Sequence, residues 1–209
     1  SATSSSSSST YSSIASSGSW PTPGILVVLK GTVGCGKSTY AKKFQMIAES
    51  AGKQCFVEGS DKYVMQGFGF GAPAAAQVKD ALEKAIASTE KNKIVVIDGC
   101  NEKFQKNNVY GVDFSKWRIE TVWVNCDRKQ LKLYLAWSLR NVLRRGRDDS
   151  VLTPGKLGYA TCLEVHTKKA RSLFGKQVPD VAGSSFSVED TLNFLKKDAE
   201  AYDCYLEEH

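Results

Sequence analysis

Apolar and polar residues follow two alternating rhythms along the chain. Short unbroken apolar runs are the pattern of strands buried on both faces. Ile25–Leu29 is such a run, and Lys93–Ile97 is another after its first residue. Gln54–Glu58 and Ile119–Asn125 read as two further strands. Between them apolar residues recur at helical spacing. Tyr40, Phe44, Ile47, Ala48 and Ala51 fall on one face of a helix. Ala74–Ser88 is an alanine-rich helix and Arg128–Arg144 a long one, with Gly158–Leu173 and Val188–Leu206 following. Strands alternating with helices predict an α/β fold of three layers around a mostly parallel central sheet.

Residues 1–20, SATSSSSSSTYSSIASSGSW, break the rhythm. They are mostly serine and hold too little apolar surface to order themselves, so a disordered tail or linker is expected over 1–22, with one globular domain over 23–209. The segment lacks the basic start and apolar core of a signal peptide. No stretch is long and apolar enough to span a membrane, so no membrane partner is expected.

Composition adds little to this outline. The chain has 209 residues, 42% of them hydrophobic, which suits one domain with a sizeable core. Its six cysteines are scattered without a CxxC pair. That spacing suggests reduced thiols in an intracellular protein, cytoplasmic or nuclear, rather than a disulfide framework or a zinc site. Two histidines, His166 and His209, are too few for a histidine metal site. The net charge of +6 admits a polyanionic partner without requiring one.

Between the first strand and the first helix lies Gly31-Thr32-Val33-Gly34-Cys35-Gly36-Lys37-Ser38, followed by Thr39. It fits the phosphate-binding P-loop, GxxxxGK[ST], at every defined position, in the strand–loop–helix setting that the motif needs. Glycines let backbone N–H groups approach a polyphosphate, and the following helix aims its positive end at the anion. The pattern assigns Gly34, Cys35, Gly36, Lys37, Ser38 and Thr39 to a nucleoside triphosphate. Lys37 reaches the β- and γ-phosphates, and Ser38 ligates Mg²⁺.

Ligands of a parallel sheet gather at the carboxyl ends of its strands. Asp61 follows the second strand, and Asp98, with Asn101 close behind, follows the third. Ile94-Val95-Val96-Ile97-Asp98 resembles a Walker B segment, whose Asp holds Mg²⁺ or orients an acceptor hydroxyl. For Asp61 two roles stand open, a catalytic carboxylate and a helix N-cap. A third cluster holds Arg140, Arg144, Arg145 and Arg147. Arg140 and Arg144 share a helix face, Gly146 can end that helix, and a flexible stretch from Asp148 towards Pro154 follows. This is the layout of a helical lid whose arginines neutralise a transferring phosphoryl group. A solvated basic helix end is the other reading. A switch GTPase would carry Asn-Lys-x-Asp where this chain has Asn125-Cys126-Asp127-Arg128. Phosphoryl transfer to a hydroxyl fits better.

These residues resemble the P-loop polynucleotide 5′-hydroxyl kinases, a group that includes the kinase module of fungal-type tRNA ligases. The likeness covers residues 24–175 and rests on Gly34–Thr39, Asp61, the Asp98/Asn101 pair and the arginine spacing. It implies a P-loop kinase domain that transfers the γ-phosphate of ATP or GTP, with Mg²⁺, to the 5′-hydroxyl end of RNA or DNA in tRNA splicing or RNA repair. Asp61 would then deprotonate the hydroxyl. Lys37 and Arg144 would grip the phosphates, Ser38 and Asp98 would serve the metal, and Asp98, Asn101 and Arg140 would lie near the acceptor. Asp98 and Asn101 stand one residue further apart than the family's Asp/Asn pair. Covalently linked ligase and phosphodiesterase domains are also implied. The alternative is a small-metabolite or nucleoside kinase of the gluconate or shikimate type.

Overall fold

The structure, a computed structural model, describes residues 22–175 except positions 90, 91, 102, 103, 105, 106 and 127. The serine-rich segment and the helix expected at 188–206 lie outside the described residues. The chain divides into two compact units. Among the described residues, the first takes those up to Lys30 and from Lys37 to Val122, and the second takes Gly31–Gly36 and residues 123–175.

The first unit is built on a sheet ordered β2-β3-β1-β6. Its strands are β1 (Gly24–Lys30), β2 (Cys55–Glu58), β3 (Lys93–Ile97) and β6 (Arg118–Trp123). β3 pairs parallel with β1, Val28 opposite Ile97, and parallel with β2, Glu58 opposite Ile97. The three strands therefore end at one edge of the sheet. Ile25–Leu29 and Ile94–Ile97 are buried on both faces, as helices on both sides of a sheet require. This is an α/β fold with a mostly parallel central sheet. On one face Leu26, Val28, Val95 and Ile97 pack on Val78, Leu82 and Ala85 of helix α3 (Ala72–Ala87). Lys93 closes that helix by donating to the carbonyls of Ile86 (2.8 Å) and Ser88 (2.7 Å). Burial lowers its pKa.

Helix α1 (Lys37–Ser50) buries Lys37, Ala41, Phe44 and Ala48. The expected apolar face was set too wide: Ile47 is 46% exposed, and Ala51 lies beyond the helix end. Some short elements were not expected, a later helix at Pro154–Leu157 among them. Helix α2 (Ser60–Met65) follows β2, and a small hairpin pairs β4 (Asn108–Val109) with β5 (Val112–Asp113).

In the second unit, helix α4 (Leu131–Leu143) buries Tyr134, Leu135, Ala136, Ser138, Leu139 and Val142. It starts three residues later than expected. After the short helix α5 (Pro154–Leu157) comes helix α6 (Tyr159–Phe174), which buries Cys162, His166 and Phe174. Phe174 meets the Tyr134 ring edge-on at 6.0 Å.

Candidate active site around the glycine loop

The segment Gly31–Gly36 is seated on α4 by a row of polar groups. Tyr134 Oη accepts the Thr32 N–H at 2.9 Å, and the Thr32 hydroxyl lies 3.0 Å from Ser138 Oγ. Asn141 Nδ2 donates to the Gly34 carbonyl at 3.0 Å. Tyr134, Ser138 and Asn141 recur at helical spacing, so one face of α4 holds the loop. Ser138 Oγ continues to His166 Nε2 at 2.8 Å, and both residues are buried. From outside the helix, Asn125 Nδ2 donates to the Cys35 carbonyl at 3.0 Å. Burial pushes the Tyr134 phenol above its usual range, which keeps it a neutral hydroxyl in this network.

Gly34 sits at φ +86, and a Cβ there would come within 2.1 Å of the Ser138 carbonyl. Gly31 and Gly36 also have positive φ. The N–H groups of Val33, Gly34 and Gly36 have no protein acceptor among the described residues. Such a set of main-chain donors fits an anion.

Past the loop, Lys37 opens α1 and is 8% exposed. The first turn of this helix carries no acidic residue. A cation at the positive end of a helix opposes the dipole, and burial adds to that cost. A bound anion at this helix end would offset that cost. Ser38 and Thr39 follow it and are exposed. No group of three or more metal-ligating side chains lies among the described residues.

At the carboxyl edge of the first unit's sheet, Asp98 follows β3 and is half-buried, and its N–H donates to the Glu58 carbonyl at 2.8 Å. A Cβ on Gly59 would lie 2.1 Å from the Asp98 carbonyl, so the two strand ends approach too closely for any other residue. Asp61 stands exposed in the first turn of α2. The N-cap of that helix is Gly59, and Asp61 is its second residue, so the cap role is corrected. In the first turn its charge still favours the dipole. Asn101 is committed elsewhere. Its Nδ2 faces the carbonyls of Leu29 (2.7 Å), Gly99 (3.1 Å) and Ile97 (3.2 Å), tying the ends of β1 and β3. That is a structural clamp, and it leaves no amide hydrogen for an acceptor.

Glu58 was not singled out from the sequence. It is buried at the end of β2, where Lys62 Nζ (3.0 Å) and Tyr63 Oη (2.8 Å) both donate to it. These bonds fix α2, and with it Asp61, to the sheet. Burial, followed by the Glu58 hydrogen bond and charge and by Asp80, pushes the Tyr63 phenol up to about 12.

The arginine segment differs from expectation in three ways. Helix α4 ends at Leu143 with Arg144 as its C-cap, and Gly146 is not in the left-handed conformation that stops a helix. The following stretch is tied down: Asp149 Oδ2 accepts the Gly146 N–H (2.6 Å), and Arg145 Nη1 donates to Ser150 Oγ (3.2 Å) and the Leu152 carbonyl (3.4 Å). Val151, Leu152 and Thr153 are buried. Finally, Arg140 is two residues from Ser138, roughly 200° around the helix at 100° per residue. It is on a different face of α4 from the one that holds the loop.

No protein family model matches the chain. It is similar to "Uncharacterized protein L611" of Acanthamoeba polyphaga mimivirus, 40% identical over 167 residues and 78% of this chain. The chain spans 17% of the length of that relative.

Proposed function

We propose that the chain is an NTP-dependent polynucleotide 5′-hydroxyl kinase of the tRNA-ligase type, acting on RNA ends in repair or splicing. The observation that carries the reading is the buried Lys37 at the positive end of α1, directly after a loop with three main-chain donors and no protein acceptor for them. Lysine and loop make physical sense together as a P-loop around a polyphosphate.

A bound magnesium–ATP or magnesium–GTP supplies the phosphoryl group to be transferred. Lys37 neutralises its charge, and the loop N–H groups hold it in line. Ser38 and Asp98 serve the metal. Asp61, exposed in the first turn of α2, takes the proton of the acceptor hydroxyl. Arg140 and Arg144, four residues apart at the end of α4, are the arginines assigned to counter charge that develops during transfer. The net charge of +6 and the arginine spacing favour a nucleic-acid end over a metabolite. The greater length of the mimiviral relative is in keeping with a module in a larger protein, with ligase and phosphodiesterase domains attached.

The test is phosphoryl transfer from labelled ATP and GTP to 5′-hydroxyl RNA, 5′-hydroxyl DNA and a metabolite panel that includes gluconate, shikimate and nucleosides. Labelled RNA 5′ ends are expected, with acceptor affinity falling steeply as salt rises. Transfer to a metabolite alone, with no salt dependence, would replace this reading with the small-molecule kinase. No transfer to any acceptor would overturn both.

A further inference from the structure

Directly after α2 the chain reads Met65-Gln66-Gly67-Phe68-Gly69-Phe70-Gly71. Phe68 is 41% and Phe70 67% exposed. Two phenyl rings in water would be unremarkable on a loose loop, but the first of these is held. The Phe68 N–H donates to the Tyr63 carbonyl and the Gly67 N–H to the Val64 carbonyl, both at 3.1 Å. That pair of bonds is the Schellman closure of a helix, made possible by Gly67 at φ +97. The Phe68 ring then rests edge-on against Tyr63, centroids 6.1 Å apart. Tyr63 is anchored in turn on buried Glu58. On the far side, Ala74 N–H bonds to the Gly69 carbonyl and Ala75 N–H to that of Gly71, tying the segment to α3.

The glycines on either side of the rings have open space around them. A Cβ added at Gly67 or Gly71 would meet nothing within 4 Å, and one at Gly69 would meet only Pro73. A protein-docking surface needs a closed apolar patch with a rim that excludes water. Here two partly exposed rings alternate with glycines that carry no side chain to crowd them. Stacking on exposed aromatics is how proteins hold single-stranded nucleic acid without reading its sequence. The location suits this. Asp61 is in the first turn of the helix that Phe68 closes, seven residues on, a separation on the order of 10 Å at 1.5 Å per helical residue. A strand with its 5′ end at Asp61 reaches that far within its first few nucleotides, at ~3.4 Å per stacked nucleotide.

The geometry points to Phe68 and Phe70 as a stacking platform for the bases just behind the 5′-terminal nucleotide of a single-stranded acceptor. The placement of the 5′ end rests on the proposed kinase reading, and the platform itself does not.

The experiment uses the full chain and short 5′-hydroxyl oligoribonucleotides carrying the fluorescent base 2-aminopurine at the first, second or third position. Binding is followed by quenching, and self-association by sedimentation. Quenching at the second or third position is expected. Phe68→Ala and Phe70→Ala should each weaken binding about tenfold or more, and Trp at either position should restore it. Leu should not, because it is apolar without a flat face. In transfer assays the alanine variants should raise the KM for RNA and leave the donor KM unchanged. Alanine variants that bind like the wild type would overturn the platform, and so would Leu variants that bind as well as Phe. Loss of self-association with RNA affinity unchanged would assign the rings to a second copy of the chain instead. Quenching without any transfer would sink the kinase and keep the platform. Transfer to RNA that is indifferent to both rings would do the reverse.

Discussion

The carbonyl of Ser138 lies so close to Gly34 that one methyl group on the glycine would come within 2.1 Å of it. Helix α4 therefore moulds the loop from behind, as closely as any ligand could from the front. Gly34→Ala adds this clash to a φ of +86 that alanine resists. We expect a loss of more than about 1 kcal/mol in stability, read from thermal melts, together with loss of nucleotide binding. Asn141→Ala removes one hydrogen bond to the same residue and should cost about 1 kcal/mol while leaving binding weakened but measurable. A fully stable Gly34→Ala variant would show that the contact is not limiting.

Lys37→Ala should separate function from stability. The lysine sits where the helix dipole disfavours a cation, so its removal should leave the melting temperature of the ligand-free protein unchanged or slightly raised. Phosphoryl transfer should vanish, as should the rise in melting temperature that nucleotide gives the wild type. A clearly destabilised variant would mean that the lysine serves the fold.

Asp61 is the second residue of α2 rather than its cap, so Asp61→Asn should change stability by less than about 1 kcal/mol. As the proton acceptor it should matter far more to rate, with kcat down about 10²-fold or more and nucleotide affinity kept. Single-turnover transfer to RNA measures this, and a variant within twofold of wild type would remove Asp61 from the chemistry.

Arg144 and Arg145 are neighbours with different expected failures. Arg144→Ala should lower kcat about 10²-fold with stability kept, and Arg144→Lys should recover only part of it. Arg145→Ala loses its bonds to Ser150 and Leu152 and should lower the melting temperature first. Kinetics and melts on Arg140, Arg144, Arg145 and Arg147 alanine variants distinguish these outcomes. Equal small losses in rate at all four would describe a solvated basic face.

Tyr63 gives a pH signature. Its phenol moves from an ordinary 10.0 up to about 12. The folded state holds this proton more tightly than the unfolded chain. The resulting stabilisation is complete below about 10 and declines as pH rises through about 12. Because part of the ring is exposed, the effect is smaller than the full shift implies. Ultraviolet titration should find a tyrosine ionising near that value, absent in Tyr63→Phe and shifted down in Glu58→Gln. An unchanged titration in Glu58→Gln would show that Glu58 does not control this phenol.

The sheet was legible because Ile25–Leu29 and Ile94–Ile97 are continuous apolar runs with no competing period. The glycine loop was legible as a motif, but what seats it was not. Tyr134, Ser138 and Asn141 lie in a helix that attracted notice for its arginines, and their polar spacing along a buried face was the signal overlooked. Helix α2 is six residues long, too short for a periodicity, and its position is set by Glu58 gripping Lys62 and Tyr63. The β4–β5 hairpin has strands of two residues; its only sign was Tyr110-Gly111, both at positive φ. Asn101 was expected near an acceptor only through the likeness of Asp98 and Asn101 to the Asp/Asn pair of the family the chain resembles. Its position just past β3 puts it within reach of three strand-end carbonyls.

The hydroxyl row from Thr32 through Ser138 ends on the imidazole of His166. The chain has two histidines, so nitrogen resonances from a histidine-labelled sample would be few and readily assigned by substitution. Whatever pulls on the glycine loop must re-order hydroxyls that terminate on one ring nitrogen. The protein thus carries its own spectroscopic gauge of loop occupancy, buried out of solvent and needing no attached label.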